Sequence, residues 1–209
     1  MERAKSITIG LTGPTGAGKS SLRALLADYR CELIDCDILA RQVTDIGSPA
    51  LAELAQEFGS DIIAADGSLI RPLLAQRAFS SKEGSERLGA ITHPRIRELT
   101  VRSITAAHDG GFHAAVDAPL LFESGFDSLC DVTIAVIAPS ELRLSRIMAR
   151  DGISREAALV RMQAQPDDDY YIARADYILH NDGSLSAFMD SARALLERIF
   201  CAAEVELYE

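Results

Sequence analysis

Short apolar runs alternate along the chain with stretches in which hydrophobic residues recur at helical spacing. The helical pattern is clear after the first run, where Leu22, Leu25 and Leu26 share one face. Strands that alternate with helices are typical of a parallel sheet covered on both faces, so we expect an α/β fold. The runs predict strands at 6–11, 32–35, 112–118, 132–137 and 176–179.

The third predicted strand comes late in the chain. Between Cys36 and Gly111 lie about seventy residues, whereas a crossover between parallel strands needs only about a dozen. Helical patterns at 50–58, 72–80 and 94–107 fill this interval. The excess predicts a helical insertion that offers room for a second substrate. The alternative is that this helix-rich insertion has no function of its own.

Residues 13–20 read Gly-Pro-Thr-Gly-Ala-Gly-Lys-Ser and fit the pattern G-x-x-x-x-G-K-[ST]. Glycines let the backbone curl so that successive N–H groups point at a phosphate. Lys19 adds a cation that reaches the β- and γ-phosphates, and the Ser20 hydroxyl is a ligand for Mg²⁺. A strand precedes this loop and a predicted helix, residues 20–29, follows it, which places the phosphate at a helix N-terminus. The residues expected to contact the nucleotide are Gly13, Pro14, Thr15, Gly16, Ala17, Gly18, Lys19, Ser20 and Ser21.

Arginines recur in segment 139–165. Arg143, Arg146 and Arg150 are spaced i, i+3 and i+7 and share one helix face without matching acids on it. In a phosphoryl-transfer enzyme such a helix can close over the triphosphate and neutralise charge in the transition state. The alternative is that these arginines form a solvent-exposed charged face, which is the usual role of charged residues that recur on one side of a helix.

Two carboxylates, Asp35 and Asp37, follow the second predicted strand. The carboxyl ends of parallel strands line the ligand crevice, and residues i and i+2 of an extended segment lie on one face. One carboxylate can accept a proton from a substrate hydroxyl, while the other holds the substrate or, through water, Mg²⁺. Asp37 as a mere N-cap of a helix at 38–44 is the alternative.

Three further residues are candidates for the site. Asp117 ends the third strand, where an acid orients Mg²⁺ through water. Glu123 lies beyond it at the rim of the crevice. His93 precedes Pro94 at a predicted helix start, and we expect it to contact substrate rather than to catalyse.

Net charge, apolar stretches and cysteine spacing limit the functions and the locations that we expect for this protein. The net charge of −10 argues against a general nucleic-acid binder, because a phosphate backbone would be repelled on average. The sequence has no apolar stretch of membrane-spanning length and no apolar signal core before Gly10, so we expect no membrane segment. The four cysteines form no C-x-x-C pair, which favours reduced thiols and a cytoplasmic location. We expect a monomer or a small homo-oligomer.

Taken together, these motifs resemble the dephospho-coenzyme A kinase family. The likeness runs from Gly10 to Asn181. Its pieces are G-L-T-G-x-x-G-x-G-K-S at 10–20, I-D-x-D-x-x-A-R at 34–41, T-H-P at 92–94, P-L-L-F-E at 119–123 and R-x-x-x-R at 146–150. The phosphate loop alone is shared by many unrelated enzymes, whereas the second and fourth pieces are much more specific.

The resemblance implies a three-layer P-loop core with a five-stranded parallel sheet, a helical substrate-binding insertion and a helical lid. In residue numbers, it implies one domain over 1–209, with its core at about 1–36, 111–138 and 174–209. The insertion is then about 37–110 and the lid about 139–173.

The resemblance also implies ATP-dependent phosphorylation of the ribose 3′-hydroxyl of dephospho-coenzyme A, with Mg²⁺ as cofactor. Asp37 matches the general base, Lys19 and Ser20 match the phosphate and Mg²⁺ ligands, and Arg146 and Arg150 match lid arginines that bind ATP, with Arg146 also catalytic. The residues that match the acceptor site are Asp35, Asp37, Arg41, His93, Leu120 and Glu123.

Three positions depart from the family pattern. Pro14 replaces a usual glycine, which stiffens the loop and removes one N–H. Cys36 stands where alanine is common. Residues 167–171, Asp-Asp-Asp-Tyr-Tyr, occupy a stretch in which the family often carries an arginine.

Two other functions are compatible with the loop. One is a kinase for a nucleoside monophosphate or another small molecule on the same core. The other is a nucleotide-dependent switch or binding protein, although a guanine-specific switch typically needs an N-K-x-D segment, which the sequence lacks.

Overall fold

The predicted sheet is present in the computed structural model, which describes residues 6–205. Five strands form one sheet in the order β2-β3-β1-β4-β5, and β1 pairs in parallel with β3 and β4, as β4 does with β5. The α/β fold class predicted from the sequence is confirmed. The strands are β1 Thr8–Thr12, β2 Cys31–Asp35, β3 His113–Asp117, β4 Val132–Ile137 and β5 Tyr177–His180.

The central strand explains why the strand pattern could be read from the sequence. Every residue of β1 is buried, because strands pair with both of its edges and apolar side chains of helices pack against the sheet. Ile9 lies beside Ala115 of β3 and Val132 of β4. A strand in this position has no exposed face to be marked by charged or strongly polar residues, and Thr8–Thr12 carries only threonine, glycine and aliphatic residues.

The chain divides into two compact units, residues 35–103 and the remainder. In the larger unit α1 and α9 pack with the sheet, and Ile9, Leu11, Leu22 and Leu196 are fully buried in its core. The helices of this unit are α1 Lys19–Leu26, α6 Ser140–Asp151, α7 Arg155–Gln163, α8 Asp168–Ile172 and α9 Leu185–Val205.

The smaller unit is helical, as the late third strand predicts. Its core is formed by Leu54, Phe58, Ile62, Leu74 and Ala78. Its helices are α2 Cys36–Val43, α3 Pro49–Phe58, α4 Arg71–Ala78 and the first part of α5, Lys82–Asp109. The predicted division into core, insertion and lid stays a prediction, and its outermost residues, 1–5 and 206–209, lie outside the described residues.

The predicted helix start at His93 and Pro94 is wrong. Helix α5 begins at Lys82 and carries Pro94 in its interior. Proline removes one backbone donor from the helix, which is why its position suggests a start. Neighbouring side chains bond to carbonyls of the same helix: Thr92 Oγ1 donates to Leu88 O at 2.8 Å, and Arg95 Nη1 donates to Ile91 O at 2.6 Å.

The helix after the second strand also differs from the expectation. It begins at Cys36, and its N-cap is Asp35, whose Oδ1 accepts from the N–H groups of Asp37 (3.0 Å) and Ile38 (3.2 Å). Asp37 as the N-cap is therefore wrong, and so is an extended segment that carries both carboxylates on one face. An aspartate two residues earlier satisfies the orphan N–H groups, and the chain turns helical directly after the strand.

Segment 139–165 contains two helices. α6 ends at Asp151 and is followed by the C-cap Gly152, which has a φ of 64°. Ser154 caps α7 by accepting from Ala157 N at 3.2 Å. Leu144, Ile147 and Ala158 join the two helices in a small apolar cluster.

Candidate active site

The phosphate loop lies between β1 and α1, at the carboxyl end of the central strand. Gly13, Gly16 and Gly18 have φ values of 131°, 78° and 102°, a region that other residues rarely adopt. Gly18 is the N-cap of α1, so the first N–H groups of the helix belong to Lys19 and the residues after it. The predicted order of strand, glycine loop and helix is confirmed.

Close neighbours make the same glycines necessary. A Cβ at Gly13 would lie 2.2 Å from Val136 O, and one at Gly18 would lie 2.2 Å from Asn181 Nδ2. Both contacts come from β4 or from the end of β5, far away along the chain. The loop is therefore shaped by the strands beside it as well as by its own backbone preferences.

Pro14 and Thr15 complete the loop. Pro14 is buried, and its carbonyl accepts from Ala17 N at 3.2 Å, which closes a turn inside the loop. The N–H of Thr15 donates to Gln165 Oε1 at 2.7 Å. Gln165 follows α7, and no motif in its segment predicts a contact with the loop.

Lys19 and Asp117 lie together, as two of the predicted site residues. Lys19 Nζ is 3.0 Å from Asp117 Oδ1, and the aspartate side chain is only 7% exposed. This contact is an ion pair without hydrogen-bond alignment, because Oδ1 has no hydrogen-bond partner among residues 6–205. A second cation, Arg23 Nη1, lies 2.9 Å from Oδ2 of the same carboxylate. Sequence reasoning missed Arg23, although its i+4 spacing from Lys19 places both on one face of α1.

The residues present fit a magnesium ion. Ser20, in the exposed first turn of α1, and Asp117 supply oxygen donors, the type that Mg²⁺ prefers. The buried oxygen of Asp117 that lacks a hydrogen bond is suited to accept one from a metal-bound water. The described part of the chain holds no group of three or more His, Cys, Asp or Glu side chains suited to a metal.

Two arginines of α6 bind the carbonyl side of the phosphate loop. Arg146 Nη1 donates to Gly16 O and Ala17 O, both at 3.3 Å, and Nη2 donates to Asn181 Oδ1 at 3.2 Å. Asn181 Nδ2 also donates to Ala17 O at 2.7 Å. The structure therefore brings Arg146 to the predicted loop and adds Asn181, whose position directly after β5 is the signal that could have found it.

The first arginine of this face meets an acid from another helix. Arg143 is buried and pairs with Asp168 at 2.9 Å, while its Nε donates to Thr15 O at 3.2 Å. Asp168 lies in the segment that departs from the family pattern. Its pairing with Arg143 is a tertiary contact, which helical spacing cannot reveal.

Arg150 is held by its neighbour along the chain. Its Nε and Nη2 lie 2.7 and 2.9 Å from the two oxygens of Asp151, and Arg161 contacts the same carboxylate. These arginines lower the pKa of Asp151, chiefly through the hydrogen bond from Arg150. Arg150 is thus bound to an acid in this structure and not to the loop.

The predicted acceptor residues of the smaller unit lie on α2 and α5. Asp37 is exposed in the first turn of α2, one turn before Arg41, whose carbonyl accepts from Arg71 Nη2 at 3.4 Å. His93 is half-buried, and burial lowers its pKa. A Cβ at Gly89 would lie 3.1 Å from His93 Cε1, so the imidazole lies over a glycine one turn earlier.

The predicted acceptor residues of the larger unit follow β3. Leu120 is half exposed, and Glu123 is exposed. Burial and the charge of Glu123 raise the pKa of Tyr170, and burial above all raises the pKa of Tyr171 to about 12. Both tyrosines therefore stay neutral beside this carboxylate.

Comparison with known proteins gives a consistent result. The dephospho-CoA kinase family model matches residues 7–187. A dephospho-CoA kinase from Syntrophotalea carbinolica is 39% identical over 194 residues, which cover 92% of this chain and 92% of that protein. The crystal structure of TT1252 from Thermus thermophilus aligns with a TM-score of 0.77 at 34% identity, over 92% of this chain and 97% of that one.

A second solved structure supports the same assignment. The dephospho-CoA kinase from Campylobacter jejuni aligns with a TM-score of 0.70 at 27% identity and covers 93% of this chain and 98% of that one. The likeness spans both the sheet and the helical segments. This chain belongs to the dephospho-CoA kinase family.

Proposed function

We propose that this chain transfers the γ-phosphoryl group of ATP to the ribose 3′-hydroxyl of dephospho-CoA, giving coenzyme A and ADP in the last step of coenzyme A biosynthesis. The observation that carries the proposal is the phosphate loop, with Lys19 beside the buried carboxylate of Asp117, in a chain of this family. Such a loop serves phosphoryl transfer by positioning and charge neutralisation rather than by covalent chemistry.

The donor half of the reaction uses the loop. The N–H groups at the start of α1 and the ammonium of Lys19 bind the β- and γ-phosphates. Ser20 and, through water, Asp117 would hold Mg²⁺, which would neutralise phosphate charge. Arg146 keeps the loop curled through its bonds to the carbonyls of Gly16 and Ala17, and we assign it charge stabilisation in the transition state.

Asp37 acts as the general base. Asp35 is less suited, since its Oδ1 already accepts two backbone N–H groups that fix the start of α2. As the new bond forms between O3′ and the γ-phosphorus, the hydroxyl proton passes to Asp37 and the bond to the β-phosphate oxygen breaks, which releases ADP. Asp35, Arg41, His93, Leu120 and Glu123 bind the acceptor, and His93 does so as a neutral imidazole.

We assign Arg150 to the binding of ATP, although it pairs with Asp151 in the structure. Arg150 exchanges Asp151 for the nucleotide when ATP binds, because both are anions that accept bidentate hydrogen bonds. The protein works in the cytoplasm as a monomer or a small homo-oligomer and binds no nucleic acid. None of the described helices is long and apolar enough to cross a membrane.

The test is a coupled assay with ATP, Mg²⁺ and dephospho-CoA that records ADP release. Mass analysis of the product then shows whether the 3′-position carries the new phosphate. Lys19→Ala serves as the inactive control. Phosphorylation of a nucleoside monophosphate but not of dephospho-CoA would reverse the acceptor assignment, and slow hydrolysis without acceptor dependence would favour a switch protein.

A further inference from the structure

The buried carboxylate of Asp117 contacts two cations of one helix. Lys19 Nζ lies 3.0 Å from Oδ1, and Arg23 Nη1 lies 2.9 Å from Oδ2. The arginine is more exposed than the lysine, at 32% against 17%, while the carboxylate is nearly inaccessible to water. One carboxylate oxygen of Asp117 therefore pairs with Lys19, a residue of the phosphate-loop motif. The other oxygen pairs with Arg23, which lies outside the motif.

This division matters because Lys19 has two possible partners. Its ammonium is bound to Asp117 in the structure, yet the proposed reaction needs it at the phosphates. Removal of the only cation from a buried carboxylate is costly, because the charge is then left uncompensated in a medium of low dielectric. If Lys19 were the only cation beside Asp117, ATP binding would be weakened by the free energy needed to leave this carboxylate uncompensated.

We propose that Arg23 is a positioning residue that keeps Asp117 charge-compensated when Lys19 turns from the carboxylate to the nucleotide. Arg23 acts through Asp117 and does not touch ATP. It also fixes the carboxylate plane, so that Oδ1 stays on the side of Lys19. This inference rests on the proposed binding of ATP at the loop, but it does not depend on which acceptor is phosphorylated.

The test measures ATP binding by calorimetry in EDTA, so that no metal effect at Asp117 contributes. Arg23→Met should bind ATP about tenfold more weakly, because Lys19 is then the remaining cation of a buried carboxylate and leaves it less readily. Arg23→Lys should restore binding to within about threefold of the original, since it returns the charge. Arg102→Met is the matched control: this arginine is exposed, pairs with Glu98 on α5, and should change nothing.

A double-mutant cycle separates action through Asp117 from a general attraction between Arg23 and ATP. In an Asp117→Asn background there is no carboxylate left to compensate, so Arg23→Met should change ATP affinity by less than about twofold. An equal loss of affinity in both backgrounds would overturn the proposal in favour of long-range attraction. Unchanged affinity in Arg23→Met alone would also overturn it.

Thermal unfolding and steady-state kinase assays complete the test of the role of Arg23. Thermal unfolding of each variant establishes that it is folded, and Arg23→Gln replaces Arg23→Met if the latter does not fold. In the kinase assay Arg23→Met should raise the KM for ATP while kcat with saturating MgATP stays within about threefold. If dephospho-CoA is not phosphorylated but ATP binds, the acceptor assignment fails while the binding cycle still decides the role of Arg23.

Discussion

At the scale of single residues, the phosphate loop combines backbone freedom with close contacts. Gly18 has a φ of 102° and lies where a Cβ would meet Asn181. The sequence predicts the first requirement, because the motif calls for glycine there. The second requirement depends on a residue at the end of β5, which the motif does not contain.

Gly18→Ala should weaken ATP binding by about tenfold or more, since the loop must shift both to relieve the contact and to escape a strained φ. Calorimetric titration with ATP measures the loss. Gly152→Ala is a matched control, because it also has a positive φ, but has open space around it. Equal effects in the two variants would show that backbone strain alone accounts for the result.

Asp37→Asn should lower kcat by about 10²–10⁴-fold, because the amide cannot accept the proton of the 3′-hydroxyl. ATP affinity should stay unchanged, which separates a loss of proton transfer from a loss of the donor site. Steady-state assays and ATP titration give the two quantities. Asp45→Asn, an exposed acid beyond the end of α2, is the control. Near-original turnover in Asp37→Asn would remove the residue from this role.

At the scale of elements, the loop is supported by a helix and a strand that lie more than a hundred residues later. Asn181, directly after β5, bonds to Ala17 O and to Arg146 of α6. This one side chain therefore joins the loop, the strand end and the helix. The amphipathic pattern predicts α6 as a helix, but the partners of its arginines depend on packing.

Asn181→Ala should destabilise the fold by about 1–3 kcal/mol, because Ala17 O loses a buried donor and Arg146 loses an acceptor. ATP affinity should fall as well, since the loop loses its anchor. Denaturant unfolding and ATP titration measure the two effects. Asp182→Ala, which changes the exposed next residue, should leave both unchanged. A destabilised Asn181→Ala variant with full ATP affinity would limit Asn181 to a structural role.

At the scale of the whole molecule, stability should depend on pH through His93. Burial lowers its pKa in the folded state, so the unfolded chain binds more protons between its ordinary value of 6.5 and the lower folded value. The free energy of unfolding should therefore decrease as pH falls below about 6.5. Urea unfolding at pH 7.5 and 5.5 measures the decrease, and His93→Gln should make it smaller. An unchanged decrease in His93→Gln would assign the effect to other groups.

The strands of the α/β sheet and the phosphate loop were predictable, because both depend on short-range patterns. A central strand carries no alternating row of exposed polar residues, and a phosphate cradle needs glycines at fixed spacing. The start of α5 was not predictable from the same patterns, since Pro94 resembles a helix start and the residues before it give a weak hydrophobic signal. Asp35 replaced Asp37 as a cap because the chain turns helical directly after the strand.

The sequence by itself determined the fold class, the nucleotide loop and the family, since these depend on local spacing and on motifs that are read in order. Tertiary structure alone decided which charged and polar groups meet: Arg23 and Lys19 pair with Asp117, Arg143 pairs with Asp168, and Gln165 accepts from the loop N–H of Thr15. These partners come from different strands and helices, so no spacing along the chain encodes them. Their distances depend on how the elements pack, because Coulomb and hydrogen-bond energies depend on position in space rather than on position in the sequence.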